Sequence, residues 1–364
     1  MSEATAQFSD LGMEVPVASI GRELKRLWEA DEASTNASMM NFAVYSEDPE
    51  SLVRNSGAIQ ELTREHACRA ILIGMDRDAA ETRIKAWITA HCHLAHGKKS
   101  VCCEQISFLM EGKALGRLRN TIFSHLASDL PLIFWWQGEL SDLFEAALYR
   151  MIDRFLFDSA EWADPGAGFA RIREAAVARD GIVLQDLAWT RGFHFRLAVA
   201  GLFDDLVAQR ALGEVNSVRL VANPDQRTTA LLLMAWLATQ AGWRMGLELD
   251  IAAERAEGCD ECFTLESREG RSISVKVEWE AQSAPLSLLE ISAPDCVVSV
   301  CRDGEADFLH QRLECPGHEL VLRGPADGIA STDLLAEQLS RGGKNGLFRK
   351  VWPVFFELLS LSGP

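Results

Sequence analysis

The stretch 129-DLPLIFWWQGEL-140 decides the fold. Leu132 to Trp136 is an unbroken apolar run between Pro131 and Gly138. Such a run fits a central strand buried on both faces by helices, as in a parallel α/β sheet. Trp135 and Trp136 then fall at the carboxyl end of that strand, where open α/β sheets place their binding crevices. Successive strand residues point to opposite faces, so at most one tryptophan is expected to meet a partner while the other packs under a helix.

Working outward, apolar strand segments alternate with helical ones. The pattern predicts strands at 39-MMNFAVYS-46, 67-ACRAILIGM-75 and 153-DRFLFDSA-160, with helices over about 49–65, 113–127 and 141–151. Two longer strands, 83–93 and 101–110, are joined by the turn-like His96-Gly97-Lys98. Strands separated by helices of this length indicate βαβ units and a layered α/β domain with a largely parallel or mixed sheet. Ile20, Leu24, Leu27 and Trp28 sit at helical spacing and predict a short amphipathic lead-in helix over 17–31.

Trp162-Ala163-Asp164-Pro165-Gly166 reads as punctuation, since proline ends one segment and suits the first turn of the next helix. The expected organisation is a tail and lead-in helix over 1–37, an α/β domain over 38–163 and a second domain over 164–364. In the second, helices to about 177, over 187–206 and over 226–241 flank a strand at 215–222. Strand segments then follow almost without helices: 244–251, 262–268, 272–280, 286–292, 296–302 and 307–314. Consecutive strands argue for an antiparallel sheet, closed by helices over 331–341 and 346–360, so this domain reads as α+β.

The bulk numbers fit two domains. The 364 residues are 48% hydrophobic and 24% charged, ordinary for a folded chain. A net charge of −17 repels phosphate backbones and anionic lipid surfaces, so neither nucleic acid nor membrane is expected as a partner. No secretory signal is read at the start, and the longest apolar run, Ala230 to Ala238, is far short of the ~20 residues of a bilayer-spanning helix. Nine cysteines without framework spacing point to reduced thiols in a cytoplasm.

Reactive side chains concentrate in 91-HCHLAH-96 and 102-CCEQ-105. On a strand His91 and His93 share one face with Cys92 on the other, and the paired strand can bring Cys102 or Cys103 close, a nitrogen and sulfur metal set. Cys103 or Cys92 with His91 also suits a Cys–His nucleophile pair, Glu104 orienting the imidazole, the alternative enzyme or small-molecule-sensor reading. The preferred reading is packed strand residues with ordinary hydrogen bonds, and no metal or cofactor is expected. Cys259-Asp260-Glu261-Cys262 is a lone C-x-x-C, without the second pair that would make a zinc site strong; a regulatory disulfide is the functional alternative. Gly166-Ala167-Gly168 lacks the third glycine of a dinucleotide fingerprint, and Gly342-Gly343-Lys344 lacks the rest of a phosphate loop.

No motif dictates a reaction, but the assembled string resembles a family. The segments 39-MMNFAVY-45, 86-AWITAHC-92, 101-VCCEQI-106, 128-SDLPLIFWWQGEL-140, 153-DRFLFDSA-160 and 186-DLAWTR-191 occur in one order. Together they resemble the glucose-6-phosphate dehydrogenase assembly proteins, the OpcA family. The resemblance implies a non-catalytic accessory protein whose partner is glucose-6-phosphate dehydrogenase. Tryptophan and arginine are favoured anchors of protein contacts, so Trp135, Trp136, Arg154 and Arg191 are the candidate contact residues.

Overall fold

The structure, a computed structural model, describes residues 8–30, 38–95, 98–246, 260–341 and 345–361. The chain forms two compact units, the first comprising Met1–Asp158, Ala167–Gln185 and Leu339–Gly343.

The first unit begins with β1 (Met13–Val15) and α1 (Ile20–Ala30), whose Ile20 and Leu24 are buried. There follow β2 (Asn41–Ser46), α2 (Ser51–Leu62), β3 (Arg69–Asp76), the long hairpin β4 (Arg83–Ala95) and β5 (Lys98–Glu111), and α3 (Leu115–Phe123). The unit is completed by β6 (Leu132–Trp136), α4 (Ala146–Tyr149), β7 (Arg154–Phe157), α5 (Pro165–Ala178) and β8 (Val183–Asp186). The turn expected at His96-Gly97-Lys98 falls partly outside the described residues.

The strands lie in the order β1-β4-β5-β3-β2-β6-β7-β8. β2 is parallel to β3 and β6, β3 to β5, and β6 to β7. Taken from β5 to β8, this is the 3-2-1-4-5-6 order of the doubly wound Rossmann sheet. An antiparallel β4 and β1 extend one edge. The parallel sheet expected from the alternating pattern is therefore present. The domain boundary read from Pro165 needs correction, because β8 is the last strand of this first sheet and returns residues 167–185 to the first unit. Its four residues are too short to carry a periodic signal.

The second unit holds α6 (Leu187–Thr190), α7 (Phe193–Leu202), α8 (Leu206–Ala211), β9 (Ser217–Ala222), α9 (Arg227–Ala241) and β10 (Arg244–Met245). β11 (Glu261–Glu266), β12 (Ser272–Trp279), β13 (Leu286–Ala293), β14 (Cys296–Cys301), β15 (Phe308–Cys315) and β16 (His318–Pro325) then precede α10 (Ser331–Ser340) and α11 (Gly346–Leu361). The eight strands run β10-β11-β12-β9-β13-β14-β15-β16. Neighbouring strands are antiparallel except β9 and β12, which are parallel. α9 links sheet strands as a crossover and is buried at every residue from Thr228 to Ala238, so it shows no polar face. It ends at Gly242, whose φ of 73° lets its N–H return to the carbonyl of Ala238.

Two sequence expectations differ in detail here. The single helix over 187–206 is three, because Gly192 interrupts it and Asp205 caps α8 through the N–H groups of Val207 and Ala208. β16 was not expected, since an edge strand reading HELVLRGP carries no alternation of buried residues. The reduced-thiol reading is also corrected: Cys92 is bonded to Cys102 and Cys296 to Cys315. Each pair sits directly opposite on antiparallel neighbours, with Cα atoms 4.1 and 4.3 Å apart, close enough for a bridge.

Candidate functional site

In a sheet of this order, ligands occupy the crevice at the carboxyl ends of the strands where the winding reverses, here between β2 and β6. A dinucleotide needs a glycine-rich turn there and free N–H groups at the following helix. The turn after β2 reads 46-SEDPES-51, without glycine and with carboxylates at Glu47, Asp48 and Glu50. Asp48 takes the helix start for itself: its side chain accepts from the N–H of Glu50 and its carbonyl from the N–H and hydroxyl of Ser51.

The rest of the crevice is tied by side chains. Asn55 of α2 and Gln137 after β6 form a reciprocal amide pair, each donating at 2.9 Å. The Tyr45 hydroxyl donates to Glu47 at 2.9 Å, and Arg77 pairs with Glu47 at 2.9 Å and Asp142 at 2.7 Å. Burial opposes the Arg77 charge, yet Asp142, Glu47 and Tyr45 together push its pKa above the ordinary value. Trp136 donates its indole N–H to the carbonyl of Glu139, a return that Gly138 permits with a φ of 74°. The turn does not fit a dinucleotide phosphate: its carboxylates would oppose the charge, and Asp48 already holds the N–H groups of Glu50 and Ser51.

Trp135 is 5% exposed and Trp136 fully buried, so the expectation that one of them faces outward is corrected. β6 lies inside the sheet and is covered on both faces; Trp136 packs on Tyr45 at 4.3 Å and edge-on to Phe144 at 5.9 Å between ring centroids. Arg191 is buried as well, at 7% exposure. Arg154 is half-buried at the start of β7.

The His/Cys cluster is divided by the sheet. Register places His91 opposite Cys103 on one face, and Cys92 opposite Cys102 with Ala90 opposite Glu104 on the other. Glu104 is thus across the sheet from His91 and does not orient its imidazole. His91 pairs instead with Gln105 at 2.9 Å, and Gln105 donates to Ser56 and Ser107. His93 pairs with Thr63 at 2.8 Å. Cys103 is fully buried, and burial raises its pKa. Glu104 accepts from the Trp28 indole at 2.9 Å and pairs with Arg69 at 3.1 Å. It lines a cleft of about 380 Å³ with Leu24, Lys25, Trp28 and Arg69, which His91 and Cys103 do not reach. Cys262 is exposed in β11, while Cys259 lies outside the described residues.

In the second unit, 186-DLAWTR-191 is a structural knot. Asp186 is buried, caps α6 through the N–H of Ala188, and accepts from the N–H and hydroxyl of Ser159. Thr190 donates to the Asp186 carbonyl and accepts from Gln338. A cluster that sequence reading missed lies nearby: ligand atoms of His194, Asp327 and Glu337 fall within 4.8 Å of one another. Their separation along the chain left no spacing signal. Asp327 already accepts from the N–H and Nδ1 of His194, and so caps α7.

The first unit carries a Rossmann-order sheet whose nucleotide turn is acidic, and the second an open mixed sheet. The chain is therefore a two-unit protein with a doubly wound α/β first unit and a mixed-sheet α+β second unit. Its family is specific: residues 59–174 match the glucose-6-phosphate dehydrogenase subunit N-terminal domain and residues 182–324 the corresponding C-terminal domain. The chain belongs to the OpcA family of glucose-6-phosphate dehydrogenase assembly proteins.

Among curated relatives, it is 27% identical over 198 residues to an OxPP cycle protein OpcA of Nostoc punctiforme, covering 52% of this chain and 42% of that protein. It is 23% identical over 205 residues to the one of Synechocystis, covering 55% and 41%. The matches thus span less than half of the relatives' length. Among solved structures, a KijD10 variant, a 3-ketoreductase from Actinomadura kijaniata crystallised with TDP-benzene and NADP, is similar at 14% identity and TM-score 0.50. That similarity covers 88% of this chain and 96% of the other, and it shows the fold.

Proposed function

We propose that the chain is a non-catalytic accessory subunit that binds glucose-6-phosphate dehydrogenase and promotes its assembly or activation, supporting NADPH production in the oxidative pentose phosphate pathway of the cytoplasm. The observation that carries this reading is the match of both units to the two domains of one dehydrogenase-subunit family. The acidic turn at Glu47 and Asp48, which does not suit a dinucleotide, supports a role other than catalysis.

An accessory protein activates only through a preference for the active arrangement of its partner. A shift from 1:99 to 99:1 needs about 5.5 kcal/mol of that preference. An interface of ~1,600 Å² can supply it. Of the four contact candidates, Arg154 is the one with a partly exposed side chain, and it is the first to mutate. Redox control through Cys259 and Cys262 belongs to the same reading as a separate proposal.

The test mixes purified chain with the dehydrogenase and follows NADPH formation and sedimentation. The expected result is a lower KM, a higher maximal rate or a larger assembly. No change in any of the three overturns the reading. The alternative, an enzyme or sensor centred on His91, Cys92, Cys103 and Glu104, loses support because the sheet separates those residues.

A further inference from the structure

The two faces of the second unit's sheet differ. Inward positions such as Ile273, Val275 and Val277 of β12, Val218 and Leu220 of β9 and Leu289 and Ile291 of β13 are buried. The alternate positions of these strands and of β14 point the other way: Arg219, Ser272, Ser274 and Lys276 are exposed, and Glu290 and the Ser299 of β14 half-buried. Eight strands at ~4.8 Å spacing, averaging about six and a half residues of ~3.3 Å each, make a face of roughly 800 Å². That is the area each partner contributes to a stable interface.

Charge identifies the occupant. The chain carries −17 overall, which opposes self-association through most of its surface. The open face is balanced, with Arg219, Lys276 and Arg312 against Glu278, Glu290 and Glu319, and Arg219 and Arg312 pair with Glu278 and Glu319. The sheet centre lies between its fourth and fifth strands, β9 and β13. Arg219 and Glu290 are register partners across that centre.

We propose that this open face docks a second copy of the chain about a two-fold axis running along the strands between β9 and β13. Rotation about that axis lays β9 of one copy over β13 of the other, so Arg219 of each meets Glu290 of its mate. The same operation sets Lys276 over Ser299, and no like charges face each other along this central row. The contact is isologous and closes at two copies.

Sedimentation velocity of the full chain at micromolar concentration tests this. The expected species is a dimer. Arg219→Glu and Glu290→Arg each place like charges at the axis and weaken dimerisation by roughly 100-fold. The double exchange restores complementarity and recovers the dimer. Thermal melts by circular dichroism confirm that each variant is folded. A monomeric parent chain, singles that dimerise like the parent, or a double exchange that fails to recover while folded overturns the proposal. So does a chain that is monomeric alone and uses this face solely for another protein.

Discussion

The guanidinium of Arg196 lies 3.6 Å from the ring centroid of Trp189 and donates to that residue's carbonyl at 2.8 Å. Both residues are buried. Arg196 therefore holds α7 against α6 by stacking and by a charged hydrogen bond at once. Lysine cannot do both, having a point charge in place of a planar fork. Arg196→Lys is expected to cost about 2–3 kcal/mol of unfolding free energy, read from urea denaturation. A double-mutant cycle with Trp189→Leu should show coupling between the two sites.

Trp136 contacts Tyr45 and Phe144 in the first unit's core. Trp136→Ala is expected to lose roughly 3–5 kcal/mol, and Trp135→Ala a similar amount. If either variant keeps full stability yet fails to activate the dehydrogenase, the core assignment of that residue is wrong.

The amide pair of Asn55 and Gln137 ties α2 to the turn after β6. Asn55→Ala strands the Gln137 amide and should destabilise by about 1–3 kcal/mol. Asn55→Ala with Gln137→Ala removes both partners and should cost less than the sum of the singles, which chemical denaturation of the three variants measures.

His91, His93 and His125 all have pKa values lowered, in each case first by burial. Each binds a proton less readily in the fold than in the unfolded chain, where the ordinary value is about 6.5. The unfolded chain thus binds more protons below that pH, and stability falls as pH drops from about 6.5. Calorimetry from pH 7.5 to pH 5 should show a declining Tm, with a shallower slope in His91→Gln.

The parallel sheet was legible because buried strands leave continuous apolar runs, as Leu132 to Trp136 does. The second sheet was legible in outline because β12 alternates residue by residue. What stayed hidden is long-range: nothing near Pro165 says that β8 will return to the first sheet. The candidate sites illustrate the same limit. His91 and Glu104 are close in the sequence reading, yet one residue of register puts the sheet between them. His194, Asp327 and Glu337 leave no spacing to find. The tryptophan pair advertised the family, but its burial could be settled only by the neighbours of β6.

The acidic turn after β2 has one more consequence. A subunit that serves an NADP-linked enzyme works in the presence of that enzyme's coenzyme, and a Rossmann-order sheet with a glycine-rich turn would sequester it. In the accessory role proposed above, a chain with Glu47, Asp48 and Glu50 in that place leaves the coenzyme pool to the catalyst. NADPH fluorescence should accordingly stay unchanged when the chain alone is titrated into it.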